Sequence, residues 1–342
     1  MNDAVDAIFI GSGHNSLACA AHLAAKGWSV AIYEQADRPG GAIKCGEYTI
    51  PGFKHDWAAM NLSLFAGSSF FQKYGKELNQ SGLAFLSASD CFASIFPDQT
   101  WLGVSTDSTK TFNQISSLSQ EDAETWQELI ADFPKQAEMI FKLLSSPMNK
   151  RTLTSLTWKL FREKRVGGTL DFARFMLSTP RSWLETTFHS PKVRALLAAW
   201  GMHLDFAPDI SAGALFPYLE GMANQSFGMV IGEGGADTVT KALISMIRKK
   251  GGFIKCGSQV VKIIHEDGIS RGIELEDGSE ALARRATIAN VAPRNFAKMC
   301  KVTGNTPFDK GMTEFKHAPG TMMIHLAMDS LPNWTAGNEL KK

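Results

Sequence analysis

Cysteine is scarce in this chain, and no two cysteines are spaced as a motif. The sequence has 342 residues and five cysteines, without any C-x-x-C spacing. This distribution argues against a zinc site and against a disulfide framework, and it is typical of a reducing compartment. We therefore expect a cytoplasmic protein. The five positions are Cys19, Cys45, Cys91, Cys256 and Cys300.

The motifs of hydrolytic and metal-dependent enzymes are also missing. The chain contains no H-E-x-x-H pair and no G-x-S-x-G turn, which argues against a helical zinc site and against a nucleophile elbow. The eight histidines do not pair at the spacing of metal ligands on a helix. The sequence therefore predicts no metal site and leaves the catalytic residues unassigned, and a bound redox cofactor is the chemistry that it supports.

Strong net charge and long apolar runs are absent as well. The formal net charge is +1, which gives no general reason to expect nucleic acid as a partner. The longest apolar stretch, residues 195–204, is too short to span a bilayer. The first predicted strand begins so early that we expect neither a signal nor a transit peptide. The length favours two domains over one.

The first 34 residues contain the most organised pattern of the chain. Residues 7–10 and 30–33 are short apolar runs separated by a helical run, which predicts a strand-helix-strand unit with a right-handed crossover. Gly11 allows a tight turn after the first strand, and Gly13 allows the backbone to approach a pyrophosphate. The helix that starts near Asn15 directs its N-terminus at that position and favours an anion there by about 0.3–1 kcal/mol.

An acidic residue follows at the spacing of a ribose contact. Glu34 ends the second strand about 20 residues after Gly13, and its carboxylate can accept both hydroxyls of an adenosine ribose. The third small residue of the turn is Ser16 instead of glycine, which keeps the helix close to the strand at some cost. The pattern predicts a dinucleotide site, and the alternative is an ordinary turn of an α/β protein.

A second glycine pair, Gly40 and Gly41, extends this pattern. Residues 34–41, Glu-Gln-Ala-Asp-Arg-Pro-Gly-Gly, resemble the FAD fingerprint of glutathione-reductase-like flavoproteins, in the branch shared by amine oxidases and phytoene desaturases. The opening Gly-Ser-Gly-His-Asn-Ser-Leu and the Ile-Pro-Gly-Phe of residues 50–53 look most like the phytoene-desaturase-related group. Two glycines can offer their N–H groups to one pyrophosphate. An ordinary nicotinamide dehydrogenase would not need them, so FAD is the implied cofactor.

The resemblance implies a FAD site assembled from distant stretches. It places Ala58 beside the flavin ring, where the family usually has glycine, and it places Val260 at the adenine and Asn290 in a loop near the cofactor. His55 and Asp56 are either an acid/base pair or members of structural hydrogen bonds. The implied cofactor-binding residues are Gly11, Gly13, His14, Asn15, Ser16, Glu34, Gln35, Arg38, Gly40, Gly41, Ala42, Ala58, Val260 and Asn290.

The middle of the chain is predicted to interrupt the FAD-binding domain. Strand-like runs before residue 105 precede a helical region at residues 121–200, and a β-meander with Asp-Gly turns follows residue 253. The implied fold is α/β, a Rossmann-like FAD-binding domain with a β-meander, interrupted by a substrate domain of mixed sheet and helices. The predicted boundaries are 1–80 and 226–300 for the FAD-binding domain, and 81–225 and 301–342 for the substrate domain.

Residues 150–194 carry a strong excess of positive charge. Ten basic residues there face three acidic ones, with Trp158, Phe161 and Trp183 interleaved. This segment either lies on an anionic lipid surface or is a solvated basic face over an ordinary helical core. No recognition motif for nucleic acid accompanies the charge, so we expect no nucleic-acid partner.

The resemblance implies an oxidoreductase that acts on an elongated hydrophobic, polyene-like substrate by hydride transfer to or from flavin N5. Residues 321–328 are predicted to be a strand that returns to the substrate sheet. Members of the family continue with a segment that closes over the flavin. The chain is therefore a fragment, a split enzyme completed by a second chain, or a remnant without cofactor. Two alternatives remain: a catalytically silent nucleotide-binding or partner subunit, and an NAD-dependent dehydrogenase.

Overall fold

The chain forms two compact units. The computed structural model describes residues 4–144, 146–147, 149–202, 207–301, 306–318 and 320–341. The predicted apolar stretch at 195–204 therefore ends outside the described residues. Unit 1 comprises Met1–Leu86 and Val230–Met328, and unit 2 comprises Ser87–Met229 and Asp329–Lys342.

The elements follow one another in a mixed order along the chain. The strands are β1 (Val5–Ile10), β2 (Val30–Tyr33), β3 (Cys45–Gly46), β4 (His55–Asp56), β5 (Phe85–Ala88), β6 (Asp90–Ile95), β7 (Trp101–Ser105), β8 (Met229–Gly232), β9 (Phe253–Lys255), β10 (Val260–Glu266), β11 (Ile269–Leu275) and β12 (Glu280–Ala289). The helices are α1 (His14–Ala25), α2 (Ser63–Ala66), α3 (Ser69–Asn79), α4 (Ser108–Ser116), α5 (Gln120–Leu144), α6 (Lys150–Leu177), α7 (Pro180–Thr187), α8 (Pro191–Gly201), α9 (Leu215–Phe227), α10 (Thr238–Lys249), α11 (Pro293–Met299) and α12 (Pro307–Thr313).

The main sheet belongs to unit 1. Its strand order, among the described residues, is β10-β11-β12-β1-β2-β9. β1 lies parallel to β2 and to β12, and β2 lies parallel to β9, whereas β10, β11 and β12 form an antiparallel meander. The parallel strands β1 and β2 are joined through α1, as the apolar pattern predicts. The predicted α/β class, with a Rossmann-like domain and a β-meander, is confirmed.

β1 is buried on both faces of this sheet. Neighbouring side chains of a strand point to opposite faces. Ala7 and Phe9 accordingly belong to one core cluster, and Ile8 and Ile10 belong to another. All four are at most 3% exposed. This double burial explains why the strand is a continuous apolar run instead of an alternating one.

Small residues bring α1 close to the sheet and to α10. Ala20, Ala21 and Ala24 are buried on the inner face of α1. α1 packs against α10, whose Leu243 and Met246 are fully buried in the same cluster. The N-terminus of α1 is thereby fixed at the end of β1, which is where a dinucleotide turn has to lie.

The meander turns form as their sequences indicate. Asp267 and Gly268, between β10 and β11, have φ angles of 50° and 75°, and Gly278, between β11 and β12, has a φ of 79°. In the first turn both central residues have a positive φ, which matches the right-handed twist of the flanking strands. The predicted Asp-Gly hairpins are therefore confirmed.

Unit 2 is mainly helical. β6 and β7 pair in antiparallel fashion and precede α4 to α9 in the chain. The helices enclose an apolar core that includes Trp126, Phe133, Leu196, Leu197 and Tyr218. The change to helical periodicity at residue 121 is confirmed by α5. None of the described helices combines the length and the apolar content that crossing a membrane requires.

The predicted strand at residues 321–328 is wrong. The segment forms no ladder with any described strand, and Met322 and Ile324 are 83% and 73% exposed. Alternating apolar residues indicate an extended chain, but they do not supply a pairing partner. Residues 301–328 also group with unit 1, although the sequence pattern assigns 301–342 to the substrate domain. The ring of Phe308 in α12 contacts Phe296 of α11, which holds this region on the meander.

Candidate dinucleotide-binding site

Gly11 turns the chain immediately after β1. Its φ is +87°, and a Cβ at this position would lie 3.1 Å from the carbonyl oxygen of Asn290. The Gly11 N–H donates to the Tyr33 carbonyl at 2.8 Å, and the Asn290 N–H donates to the Ile10 carbonyl at 3.1 Å. The turn is therefore pressed between the ends of β2 and β12, so that glycine is required both for its conformation and for its size.

The two glycine pairs are in direct backbone contact. A Cβ on Gly41, whose φ is +59°, would lie 2.8 Å from Cα of Gly13. Gly40 pairs with Gly13 in an isolated parallel bridge, and its N–H donates to the Ser12 carbonyl at 3.1 Å. A Cβ on Gly13 would meet no described atom within 4 Å. The pairs therefore form one backbone cradle that is open in front of Gly13.

The start of α1 provides backbone donors at this cradle. Gly13 is the N-cap and has an extended conformation without a side-chain cap, and the first turn has no acidic residue. The first intrahelical hydrogen bond runs from Leu17 N–H to the Gly13 carbonyl at 3.0 Å. The N–H groups of His14, Asn15 and Ser16 thus have no intrahelical acceptor, and the positive end of the helix dipole favours an anion beside them.

The Ser16 hydroxyl provides the test of whether a dinucleotide fits. The side chain is 1% exposed, and its Oγ has no hydrogen-bond partner among the described residues. An unsatisfied buried hydroxyl costs about 1–3 kcal/mol. A donor set of N–H groups and a hydroxyl, without a carboxylate in the first helical turn, suits a diphosphate. The residues present therefore fit the diphosphate of a dinucleotide such as FAD.

Glu34 is held in place at the end of β2. Its Oε2 accepts from the Ser12 N–H at 2.8 Å and from the Ser12 hydroxyl at 2.6 Å, and its Oε1 accepts from the Ala36 N–H at 3.0 Å. Burial raises the pKa of Glu34, but the hydrogen bonds from Ser12 and Ala36 outweigh it and leave the pKa below its usual value. Glu34 is therefore an ionised acceptor at neutral pH, with further lone pairs available for ribose hydroxyls.

The other cofactor-binding residues predicted between positions 14 and 42 differ in their surroundings. His14 is half-buried, and burial lowers the pKa of its imidazole, which is therefore neutral at pH 7. Asn15, Gln35 and Ala42 are exposed around the cradle. The Arg38 guanidinium donates to the Cys45 carbonyl at 3.1 Å and to the Tyr48 hydroxyl at 3.2 Å. In this structure Arg38 fastens the β3 segment.

The meander residues reach the site through the backbone. Asn290 lies against Gly11, as described above. Val260 is buried in the same cluster as Tyr33. The chain just before it is tied to the end of β2, because the Ser258 N–H donates to the Glu34 carbonyl and the Gly257 N–H donates to the Ala36 carbonyl, both at 2.8 Å. Val260 therefore starts its strand close to the carboxylate of the predicted ribose site.

Ala58 lies next to the second glycine pair. The Ala59 N–H donates to the Ala42 carbonyl at 3.4 Å, and the Trp57 N–H donates to the Lys44 carbonyl at 2.8 Å. Ala58 is exposed, and its φ is not positive, so alanine takes the place of the family's glycine without backbone strain.

His55 and Asp56 do not form an acid/base pair. His55 Nε2 is 2.8 Å from the Thr49 hydroxyl. The Asp56 carboxylate accepts from the Cys45 thiol and from the Ala236 N–H, both at 2.8 Å. Both side chains make structural hydrogen bonds that hold the β3–β4 hairpin.

Two elements of the site are not identified by the sequence reasoning. Ser12, which is fully buried, bonds Glu34 through both its N–H and its hydroxyl. A serine between two turn glycines is the signal that would have revealed it. The second element joins the β3–β4 hairpin to the glycine turn before α10: the Asp237 N–H donates to the Cys45 thiol at 3.2 Å. No local pattern indicates a contact between residues this far apart in the chain.

Comparisons with known proteins agree with this geometry. Residues 10–74 match the NAD(P)-binding Rossmann-like domain family. The chain is 25% identical over 381 residues to pyridine nucleotide-disulfide oxidoreductase domain-containing protein 2 of Mus musculus, covering 97% of this chain and 61% of that protein. It is 23% identical over 292 residues to the phytoene desaturase (neurosporene-forming) of Cereibacter sphaeroides, covering 84% and 53%.

The solved structure of an oxidoreductase from Methanosarcina mazei matches with a TM-score of 0.57 at 18% identity, covering 90% of this chain and 64% of that one. The chain is similar in sequence to phytoene desaturases. The predicted resemblance, and FAD as the cofactor of the group, are confirmed. The chain spans 61% and 53% of the length of the two curated relatives named above.

Proposed function

We propose that this chain binds FAD in the cradle of Gly13 and Gly41 and belongs to an oxidoreductase that acts on an elongated apolar substrate. The contact between the two glycine pairs carries the proposal. It joins the phosphate turn to the second glycine segment that distinguishes the FAD fingerprint from an ordinary nicotinamide turn, and it leaves open space in front of Gly13.

The donors around the cradle have separate roles in this proposal. The first-turn N–H groups of α1, the Gly41 N–H and the Ser16 hydroxyl hold the diphosphate, whereas the Gly40 N–H is already committed to the Ser12 carbonyl. Glu34 accepts from the ribose, and Ser12 keeps its carboxylate ionised and oriented. The bound FAD supplies a flavin that accepts or donates hydride at N5.

The proposed substrate class is supported by the relatives and by the surface beside Ala58. Relatives include carotenoid-modifying proteins, a phytoene desaturase and a prolycopene isomerase of Daucus carota. Phe53, Trp57 and Met60 are 39%, 48% and 53% exposed in the segment that passes Ala58. An apolar surface next to the predicted flavin position suits a polyene, because it can orient the substrate and exclude water. Desaturation, saturation and isomerisation all remain open.

Flavin spectroscopy tests the proposal directly. The purified chain, incubated with FAD and then desalted, should be yellow with a flavin absorption band that dithionite bleaches. Anaerobic addition of phytoene in detergent micelles should then change the flavin redox state, whereas a saturated hydrocarbon of similar length should not. A flavin-loaded protein that reacts with neither compound, whether its flavin is oxidised or reduced, would limit the proposal to FAD binding. A chain that stays colourless would contradict it for this polypeptide alone.

A second candidate function is that of a partner subunit, in which another polypeptide completes the flavin site. One observation favours it. Residues 321–328 pair with no described strand, Met322, Ile324 and Leu326 are exposed, and the ring of His325 packs against Tyr48 and His55 beside the β3–β4 hairpin. An exposed apolar strand can take up a partner strand. FAD binding that appears only when a second chain is added would support this candidate over the first.

A further inference from the structure

The first half of α6 presents an exposed face that is both basic and aromatic. In a helix, residues three, four, seven or eleven positions apart share a face. Lys150, Arg151, Trp158, Phe161 and Arg162 have this spacing, and all five are exposed. Trp158 is 61% exposed and Phe161 is 44% exposed. We call these five residues the basic-aromatic face.

The two rings of this face are arranged as one apolar platform. Trp158 and Phe161 stack with ring centroids 5.8 Å apart and an interplanar angle of 21°. The opposite side of the helix carries the buried Leu156, so the aromatic pair is not part of the unit 2 core. Exposed large rings that are already stacked on each other are suited to insertion at an apolar–polar boundary, since little side-chain freedom is lost.

The charges of this face are uncompensated within the described residues. Lys159, on the flank of the helix, pairs with Glu138 at 2.9 Å and with Glu163 at 3.5 Å. Lys150, Arg151 and Arg162 have no carboxylate within salt-bridge distance among the described residues. Three cations therefore surround two exposed rings without a carboxylate on the face itself, which complements an anionic surface that also has an apolar layer.

The basic-aromatic face ends at a sharp bend in α6. Arg165 has a φ of 57° and a ψ of −169°, and Gly167 and Gly168 follow. A left-handed φ is costly for arginine. The bend separates Lys150–Lys164 from the remainder of α6, so the basic-aromatic face is a straight segment of about four turns, long enough to lie flat on a surface.

We propose that the basic-aromatic face of α6 docks the protein on the surface of an anionic lipid bilayer, with Trp158 and Phe161 at the headgroup boundary and Lys150, Arg151 and Arg162 on the lipid phosphates. A bilayer offers a partner to both halves of the face, because its headgroup phosphates and its apolar layer lie next to each other. The proposal does not depend on flavin binding, because every residue that carries it lies in unit 2.

Vesicle sedimentation tests this proposal with the full chain. The probes are large vesicles of phosphatidylcholine alone and of phosphatidylcholine with phosphatidylserine. The wild-type chain should pellet with the anionic vesicles at low salt and dissociate at high salt. Replacing Trp158 and Phe161 together by alanine should weaken this binding about tenfold or more, and so should reversing Lys150, Arg151 and Arg162 to glutamate.

The matched control reverses three positive charges in unit 1, the same number as the triple reversal in α6. Lys26, Lys76 and Lys298 are exposed residues of unit 1, and their combined replacement by glutamate should leave vesicle binding within about twofold of wild type. Circular dichroism and the melting temperature show whether each variant is folded. Binding that the control weakens as much as the triple reversal in α6 would overturn the proposal.

The remaining outcomes also decide the question. Equal pelleting with neutral vesicles would overturn the role of the charges, and an unchanged W158A/F161A double variant would overturn the role of the rings. If an oligonucleotide or heparin binds as tightly as the anionic vesicles and the ring substitutions do not affect it, the face is a polyanion site and the proposal is wrong. The vesicle experiments measure no flavin. A negative result in them therefore does not affect the proposed function, and a negative result in the flavin experiments does not affect the proposed membrane docking.

Discussion

At the residue scale, the Ser12 side chain connects the glycine turn after β1 to the carboxylate of Glu34, the predicted ribose contact. Its hydroxyl donates to Glu34 at 2.6 Å, while the neighbouring Ser16 hydroxyl has no partner among the described residues. Two buried serines four residues apart therefore have opposite energetic roles. The hydroxyl of Ser12 is satisfied within the protein, and that of Ser16 is suited to a ligand.

Replacing Ser12 by alanine should lower the free energy of unfolding by about 1.5–3 kcal/mol, because a hydrogen bond to a charged acceptor is lost. The pKa of Glu34 should rise toward its ordinary value, since the Ser12 hydroxyl is one of the donors that lower it. Urea unfolding of the FAD-free chain at pH 7 measures the stability. Ser16→Ala is the matched control and should be close to neutral or slightly stabilising. Equal losses in the two variants would contradict this assignment.

Cys45 is predicted to be chemically inert. Burial, and then the hydrogen bond to Asp56, raise the pKa of its thiol to about 12. The nucleophile is the thiolate, so iodoacetamide at pH 8 should leave Cys45 unmodified in the native protein and alkylate the exposed Cys19 first. Mass spectrometry of the digested protein measures both sites. Early labelling of Cys45 would show that its contacts with Asp56 and Asp237 do not persist in solution.

At the level of elements, the meander and β1 are held together by particular residues of the strands. Asp6 in β1 accepts from the Ser29 N–H at 2.9 Å and from the Ser29 hydroxyl at 3.0 Å, and Arg284 of β12 lies 3.3 Å away. One carboxylate thus links three neighbouring strands. Gly272 in β11 is equally specific, because a Cβ there would lie about 2 Å from the Ala281 carbonyl oxygen of β12.

Asp6 should make the stability depend on pH. The hydrogen bonds from Ser29, together with Arg284, lower the pKa of Asp6 from its ordinary value of 3.8 to about 2. A lowered pKa in the folded state stabilises the protein above the unfolded-state pKa and loses this effect as the pH falls through the folded value. Asp6→Asn should therefore lower the urea midpoint at pH 7, and the difference from wild type should shrink between about pH 4 and pH 2. A constant difference across that range would contradict the account.

Gly272→Ala should disrupt the pairing of β11 with β12 and lower the stability by about 2–4 kcal/mol. Gly268→Ala is the matched control: its φ of +75° is also positive, but a Cβ there meets no described atom within 4 Å. That variant should lose only about 1 kcal/mol of stability, from the backbone strain of alanine at a positive φ. Thermal unfolding followed by circular dichroism measures both. If Gly268→Ala loses as much stability as Gly272→Ala, the positive φ of glycine explains the loss, and the close approach of β11 to β12 does not.

At the scale of the whole molecule, the nucleotide-binding half follows from the sequence because its signals are local. Apolar runs, turn glycines and Asp-Gly hairpins each report on a few neighbouring residues, and together they define the sheet of unit 1. The same reasoning fails where a partner lies far away. The apolar alternation of residues 321–328 does not reveal that no described strand pairs with it, and no local pattern reveals that the Asp237 N–H donates to the Cys45 thiol.

The proposed FAD site depends on the close contact between Gly41 and Gly13. A side chain at Gly41 would strike Cα of Gly13 at 2.8 Å, whereas one at Gly27, which also has a positive φ of +84°, would meet no described atom within 4 Å. Gly41→Ala therefore changes the cradle, and Gly27→Ala introduces similar backbone strain in a turn at the far end of α1.

Equilibrium dialysis of FAD against the wild-type chain, Gly41→Ala and Gly27→Ala is the most direct test. We predict saturable FAD binding to the wild type, a dissociation constant at least about tenfold higher for Gly41→Ala, and a value close to wild type for Gly27→Ala. If FAD does not bind, the proposed function is wrong for this chain alone. If both variants bind FAD as the wild type does, the cradle of Gly13 and Gly41 is not the FAD site.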